Sequence, residues 1–172
     1  LAPTEGKVFF EGREISRMKR QHRKKLSSEV QIIFQDPFSC LDPRLNVRDL
    51  IAEPLDINST YHDKRERDKA VTELMEIVGL AKRFENSYPH ELDGGRRQRI
   101  GIARALALDP KFIVCDEPVS ALDVSIQAQI LNLLQDLQES NGLTYMFITH
   151  NLSVVKHISD HILVMYLGTV VE

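Results

Sequence analysis

A run of apolar residues that ends in two acids, followed by an amphipathic segment and a second apolar run, constrains the fold more than any other feature. The first run, Phe112–Cys115, leads directly into Asp116 and Glu117. The amphipathic segment spaces its apolar residues as a helix does, and it ends at Asn141-Gly142, which is typical of a helix stop. The second run is Thr144–Ile148. This order predicts a βαβ unit with parallel strands, and the uninterrupted first run predicts a strand covered on both faces.

The rest of the pattern extends this α/β prediction. We expect further strands at residues 7–11, 30–34, 162–165 and 169–171, and helices at 65–78, 97–108 and 152–158. The stretch between Pro37 and Leu108 is mostly helical. We therefore expect a parallel-sheet core formed by residues 1–36 and 109–172, with an inserted helical subdomain at 37–108.

Composition narrows the class of protein. With 172 residues, 42% of them hydrophobic and 27% charged, the chain has enough apolar side chains for one folded core. A formal net charge of -3 gives no overall basic surface for nucleic acid. The local basic run Arg17–Lys25 predicts a solvated helix between two strands, and its alternative is a contact with anionic lipid or nucleic acid. The cysteines Cys40 and Cys115 lack metal-ligand spacing, and free thiols favour a reducing cytosol.

Polar side chains follow three of the predicted strands where each strand ends. Asp116 can hold Mg²⁺, its neighbour Glu117 can orient an attacking water, and His150 can donate to a phosphate oxygen. Gln35 ends another strand, where its amide can reach a metal or a water. Each residue alone has an ordinary alternative, as a solvated loop acid, a surface histidine or a turn residue. Together they predict a phosphoryl-transfer site at one edge of the sheet.

Five segments in this order resemble the ATPase subunits of ABC transporters along essentially the whole chain. They are Gln35 for the Q-loop, Leu92–Arg99 for the signature motif, Asp116-Glu117 for Walker B, Ser120–Asp123 for the D-loop and His150 for the switch histidine. Four stretches resemble the dipeptide and oligopeptide importer branch: 34–37, 41–44, 88–92 and 118–125. The resemblance implies a P-loop NTPase-like core with the helical subdomain inserted into it.

The resemblance also implies a role for each site residue. Asp116 would help to hold Mg²⁺, and Gln35 would contact the metal and sense the membrane subunits. Glu117 would be the general base, and His150 would contact the γ-phosphate of ATP. Asp123 would lie at the seam of a dimer.

Cofactors and partners follow from the same resemblance. ATP and Mg²⁺ are implied, with two ATPase subunits, identical or different, enclosing two ATP molecules. Transmembrane permease subunits and, indirectly, a peptide-binding protein are implied as partners, at the cytoplasmic face of the cell membrane. No nucleic acid is expected.

The phosphate-binding Walker A loop of the family, Gly-x-x-x-x-Gly-Lys-Ser/Thr, does not occur in these 172 residues. The nearest pair, Gly6-Lys7, is followed by Val8. We expect the N-terminal part of the fold to be missing through truncation of a longer protein. We also predict that this chain alone neither binds ATP tightly nor hydrolyses it, because the triphosphate lacks its cradle of amides and its lysine.

The signature motif departs from the family norm, Leu-Ser-Gly-Gly-Gln. Asp93 replaces the serine and Arg96 the glutamine, while Gly94 and Gly95 keep the backbone open to close approach. An ionised Asp93 has no proton to donate to a phosphate, although it can cap the following helix. Arg96 can offset its charge by pairing with it or with a phosphate. One hypothesis is a weakened ATP site in a heterodimer, which predicts faster hydrolysis after Asp93→Ser in the full-length protein.

Two other classes of function stay open at this stage. A soluble ABC ATPase acting on nucleic acid or ribosomes would account for the basic run Arg17–Lys25. A non-catalytic ABC-fold module would account for the missing loop and for Asp93. The intact Asp116, Glu117 and His150 count against the non-catalytic module, and no tandem cassette or long coiled-coil insertion supports the soluble class. An ATPase coupled to transport is the leading hypothesis.

Overall fold

The structure, a computed structural model, describes residues 3–172. Seven strands and six α-helices follow one another in these residues: β1 Phe9–Phe10, β2 Arg13–Glu14, α1 Arg20–Glu29, β3 Val30–Ile33, α2 Val47–Asn58, α3 Lys64–Ile77, α4 Gly94–Leu106, β4 Phe112–Asp116, α5 Val124–Asn141, β5 Thr144–Ile148, α6 Leu152–Ile158, β6 Met165–Tyr166 and β7 Thr169–Val170. Two single-turn 3-10 helices, Lys82–Phe84 and Pro89–Glu91, precede α4.

The central sheet is parallel, with strand order β3-β4-β5. Helices α2, α3 and α4 connect β3 to β4, and α5 connects β4 to β5. Such crossovers are what parallel strands require, so the predicted βαβ unit is confirmed. Because the strands run in the same direction, their carboxyl ends lie at one edge of the sheet.

The two faces of this sheet differ, which corrects one prediction. Ile113 and Cys115 are fully buried, whereas Ile32 and Met146 on the other face are 41% and 46% exposed. The run Phe112–Cys115 is predicted to be covered on both faces, but within the described residues Phe112 and Val114, on the second face, are only half-buried. An apolar run shows that a strand can be covered, but it does not show which elements cover it.

Helix α5 ends at Asn141 as the sequence predicts. It buries three of the five apolar residues expected on one side, Ile130, Leu134 and Leu137, while Ile126 and Leu133 are half-buried. Its buried residues are Ile130, Leu131, Leu134 and Leu137. Gly142 ends the helix in the left-handed conformation, with φ of 64°. Helix α6 and strand β5 likewise match their predicted ranges.

The region between β3 and β4 contains one helix that was not predicted individually and one that begins early. Helix α2 contains Pro54 in its interior, a residue that usually marks a helix boundary. Helix α4 was predicted to begin at residue 97, but it begins at Gly94 because the side chain of Asp93 caps it. Helix α2 packs against both α3 and α4.

Both ends of the described chain form small antiparallel hairpins outside the central sheet. The predicted strand at 7–11 is shorter than expected, and β1 pairs with β2. The predicted strand at 162–165 is wrong in its bounds, since β6 is Met165–Tyr166 and pairs with β7. Leu167 and Gly168, with φ of 47° and 80°, form the tight turn that folds β7 back on β6.

The basic run Arg17–Lys25 overlaps α1, whose described basic side chains are exposed, as predicted for a solvated helix. Within residues 3–172, no helix combines the length and apolar character needed to cross a bilayer.

Candidate functional site

Three strand ends meet at the carboxylate of Glu117. Gln35, which follows β3, donates from Nε2 to Glu117 Oε2 at 2.9 Å. His150, which follows β5, places Nδ1 2.9 Å from Glu117 Oε1. The convergence predicted from the strand ends is therefore present, and Glu117 lies at its centre.

The backbone of Glu117 has an uncommon conformation that fixes its position. Its φ is 45°, in the left-handed region that non-glycine residues seldom occupy. Its N–H donates to the Ile148 carbonyl at 2.9 Å, and its own carbonyl accepts from the backbone N–H and hydroxyl of Ser120 at 3.2 and 3.1 Å. These three bonds compensate the conformational cost. Sequence reasoning missed this feature, because a proline such as Pro118 favours extended backbone with negative φ in the residue before it.

The exposure of the two partners differs. The Glu117 side chain is 24% exposed and that of His150 is 76% exposed. An ionised carboxylate only accepts hydrogen bonds, so His150 Nδ1 is the donor in this contact when Glu117 is ionised. The Nε2 atom of the same ring is then left for a second partner.

The oxygens available for a cation are those of Asp116 and Gln35. Among the side chains that the structure describes, the Asp116 carboxylate has no hydrogen-bond or ion-pair partner, and Gln35 uses only its amide nitrogen on Glu117. No group of three or more His, Cys, Asp or Glu side chains is arranged for a metal in that part of the chain. Two protein oxygens without an enclosing cage fit Mg²⁺, which is usually bound by few carboxylates together with waters and phosphate oxygens.

A second group of predicted residues lies at the start of α4. Asp93 Oδ1 accepts from the Arg96 N–H at 2.8 Å, which confirms the predicted cap. A Cβ atom on Gly95 would lie 2.7 Å from Ile126 Cγ2, and one on Gly94 would lie 3.0 Å from Leu122 Cδ2. The glycines therefore allow the start of α4 to pack closely against the segment that begins α5.

Asp123 caps that neighbouring helix. Its Oδ1 accepts from the Ile126 N–H at 3.0 Å and from the Ser125 hydroxyl at 2.8 Å. The backbone bond from Ile126, and then the Ser125 hydroxyl, lower the pKa of Asp123 below its ordinary value of 3.8. The structure thus gives Asp123 a local role that its place in the motif order did not predict.

The loop after Gln35 is attached to α4 at two points. The Arg97 guanidinium lies over the Phe38 ring, 5.2 Å from its centroid. Arg104 donates from Nη1 to the Cys40 carbonyl at 3.1 Å and from Nη2 to Glu53 at 2.5 Å. Helix α4, which carries the signature segment at one end, therefore also holds the loop that presents Gln35.

The predicted site residues form two groups in the described chain. Gln35, Glu117 and His150 are joined by hydrogen bonds at the sheet edge, with Asp116 at the end of the middle strand. Residues 93–96 and Asp123 lie at the adjoining starts of α4 and α5. Within residues 3–172, no hydrogen bond joins a side chain of the first group to one of the second.

A family model described as ABC transporter matches residues 1–120 of the sequence. The chain belongs to the ABC transporter family. The resemblance found in the sequence is thereby confirmed at the level of the family.

Relatives of this ABC transporter chain carry peptide-transport names. It is 57% identical to the oligopeptide transport ATP-binding protein OppF of Bacillus subtilis, over 98% of the chain and 56% of that protein. It is 53% identical to the dipeptide transport ATP-binding protein DppF of Lactococcus lactis, over 98% of the chain and 54% of that protein. The chain thus spans about half the length of the curated relatives it matches.

Solved ABC transporter structures share the α/β fold. CbiO1 from Clostridium perfringens, part of the complex cbiONQ, matches with a TM-score of 0.88 and 27% identity, over 100% of the chain and 66% of CbiO1. The ATP-binding cassette MJ0796, in a dimeric post-hydrolysis state bound to ADP and Pi, matches with a TM-score of 0.75 and 33% identity, over 90% and 67% of the two chains. The predicted fold class is confirmed.

Proposed function

We propose that this chain is part of an ATP-hydrolysing subunit that powers a membrane importer of dipeptides or oligopeptides. The observation that carries the proposal is the convergence of Gln35 and His150 on the Glu117 carboxylate. The peptide-transport names of its relatives support the substrate class.

In the proposed reaction, Glu117 is the general base that takes a proton from the attacking water. Gln35 and His150 each hold one oxygen of its carboxylate at 2.9 Å, so the carboxylate is oriented before the water arrives. His150 Nε2 is the ring atom left to contact the γ-phosphate, to which it can donate when both ring nitrogens carry a proton. Asp116 and the Gln35 amide oxygen would hold Mg²⁺, which when bound would neutralise charge on the phosphate oxygens.

The proposed assembly is a dimer of ATPase subunits beneath transmembrane permease subunits. Residues 93–96 of one subunit would bind the γ-phosphate held by the other, with the backbone amides at the start of α4 as donors. Asp123 would lie near the seam, since the starts of α4 and α5 pack together. In this proposal residues 37–108 form the helical subdomain, and the assembly lies at the cytoplasmic face of the membrane.

The test is Glu117→Gln in the full-length protein. We expect the rate of ATP hydrolysis to fall by about 10²–10⁴-fold, the usual contribution of a general base, while ATP binding is kept. Glu139→Gln is the matched control, because Glu139 is an exposed glutamate of α5 whose removal causes the same change in charge. A Glu117→Gln protein that hydrolyses ATP at the original rate would refute the proposed mechanism.

The transport half of the proposal has its own test. Membrane vesicles that contain the protein with its copurifying membrane subunits should take up a labelled peptide when ATP is supplied. Uptake should be lost with Glu117→Gln and kept with Glu139→Gln. Peptide uptake that continues in the Glu117→Gln variant would show that ATP hydrolysis by this chain does not supply the energy for transport.

A further inference from the structure

Arg96 is held between two partners that come from different parts of the chain. Its Nη1 donates to Asp93 Oδ2 at 2.6 Å. Its guanidinium also lies over the ring of Phe84, 4.6 Å from the centroid. Phe84 belongs to the 3-10 helix Lys82–Phe84, so this contact joins that segment to the start of α4.

Asp93 is bound on both of its oxygens by the same residue. Oδ1 accepts from the Arg96 backbone N–H and Oδ2 accepts from the Arg96 guanidinium. The carboxylate is thereby fixed in one orientation at the helix start. The arginine is fixed in turn, because the aromatic ring provides a surface for its flat guanidinium.

We propose that Phe84, Asp93 and Arg96 act as one positioning unit in which Arg96 offsets the negative charge of Asp93 at the start of α4. In this unit Arg96 supplies the hydrogen-bond donors that Asp93, unlike serine, cannot supply, and its guanidinium suits a phosphate. The inference rests on the proposed function, because the anion it concerns is the triphosphate of ATP. It treats the replacements at 93 and 96 as a compensated pair.

The hypothesis that Asp93 and Arg96 compensate each other and the hypothesis that Asp93 weakens the ATP site make opposite predictions for Asp93→Ser. If Asp93 alone weakens the site, then Asp93→Ser speeds hydrolysis. If Asp93 and Arg96 act as a unit, Asp93→Ser removes the group that positions Arg96 and brings no gain. Arg96→Gln is the more harmful change, because it leaves an unpaired carboxylate beside the bound phosphates.

The experiment is a double-mutant cycle in the full-length protein, with kcat and KM for MgATP measured for the original protein, Asp93→Ser, Arg96→Gln and the double variant. We expect Arg96→Gln to raise KM by about tenfold, the size of one charge-assisted hydrogen bond, and the double variant to recover most of that loss. Phe84→Leu should raise KM by about twofold to threefold, since an exposed cation–π contact is weak.

Arg83→Gln is the matched control. Arg83 lies over the same Phe84 ring, 5.0 Å from its centroid, and forms no ion pair within residues 3–172. We expect its KM to be unchanged. Faster ATP hydrolysis by the Asp93→Ser variant alone would contradict the proposal. Additive effects of Asp93→Ser and Arg96→Gln on KM would contradict it as well.

A second readout separates this inference from the proposed function. Equilibrium binding of MgATP is measured for the same cycle in a Glu117→Gln background, where hydrolysis is not required. Coupling between positions 93 and 96 in this binding supports the unit even if Glu117 proves not to be the base. Additive binding effects in a protein that hydrolyses ATP normally count against the unit and leave the proposed function standing.

Discussion

At the scale of single residues, the carboxylates of this chain differ in what surrounds them. Asp42 is bound on both sides by Arg44, whose side chain and backbone lower the pKa of Asp42 to about 2. Asp123 is bound by backbone N–H and hydroxyl donors. Asp116 has no such partner in the described residues. The residue type alone therefore does not say whether a carboxylate is structural or available to a ligand.

The cap formed by Asp123 gives a prediction about pH. Because its folded-state pKa lies below 3.8, its contribution to stability is complete above that pH and is lost as pH falls through the lower, folded-state pKa. Asp123→Asn should keep most of the cap and lose this pH dependence, whereas Asp123→Ala should lower Tm at neutral pH. Thermal unfolding followed by circular dichroism between neutral and acid pH measures both effects. Equal Tm values for Asp123→Ala and the original chain at neutral pH would show that the Asp123 cap does not contribute to stability.

The sequence predicted the position of a residue correctly where that position follows from the strand or helix to which the residue belongs. Gln35, Glu117 and His150 could be brought together because each follows an apolar run, and parallel strands share an edge. The contact between Arg96 and Phe84 could not be predicted, because it depends on how a 3-10 turn packs against the start of α4. The left-handed backbone conformation of Glu117 could not be predicted either, because it depends on hydrogen bonds to Ile148 and Ser120.

At the scale of helices and strands, the predicted residue ranges were most accurate where the periodic pattern of apolar residues was long. Helix α5 is 18 residues long and repeats its apolar side over five turns, and its existence and its end were predicted correctly. Helix α2 contains Pro54, and its existence follows from packing against α3 and α4. The strand at 162–165 was misplaced because a short apolar run does not specify its partner, and a tight turn paired β6 with β7 instead.

The buried side of α5 gives a prediction about stability. Leu134 is 0% exposed, and Leu134→Ala should lower the free energy of unfolding by about 2–5 kcal/mol through lost burial and a cavity. Its neighbour Leu133 is half-buried, so Leu133→Ala should cost clearly less. Urea denaturation of the two variants measures the difference. Equal losses would mean that α5 does not face the core as described.

At the scale of the whole molecule, one core joins all the parts that carry the site. The buried residues of β3, β4, α4 and α5 belong to a single cluster, which fixes the sheet edge relative to the start of α4. Only one face of the central sheet contributes fully to it, since Ile32 and Met146 on the other face are largely exposed. The arrangement presents Glu117 and its partners, but among residues 3–172 it includes no glycine-rich loop of the Walker A type.

The 172-residue chain by itself should therefore bind MgATP weakly, with no measurable hydrolysis. The physical reason is that the predicted site residues leave the triphosphate without a cradle of backbone amides or a lysine. Isothermal titration of the chain alone, with the full-length protein as control, measures the difference. Tight binding at one ATP per chain would show that Gln35, Asp116 and His150 suffice without that loop.

The two arginines that hold the loop after Gln35 are two helical turns apart on α4, about 10 Å along its axis. A loop that contacts a helix at one point can rotate about that contact. A loop that contacts the helix at two separated points can rotate only together with the helix. Arg97 and Arg104 thus attach the loop to α4 at two points, so we expect the loop to move with α4 when that helix tilts. Gln35 lies at the start of that loop and donates to Glu117, so a movement of the loop would change the position of the Gln35 amide relative to the Glu117 carboxylate.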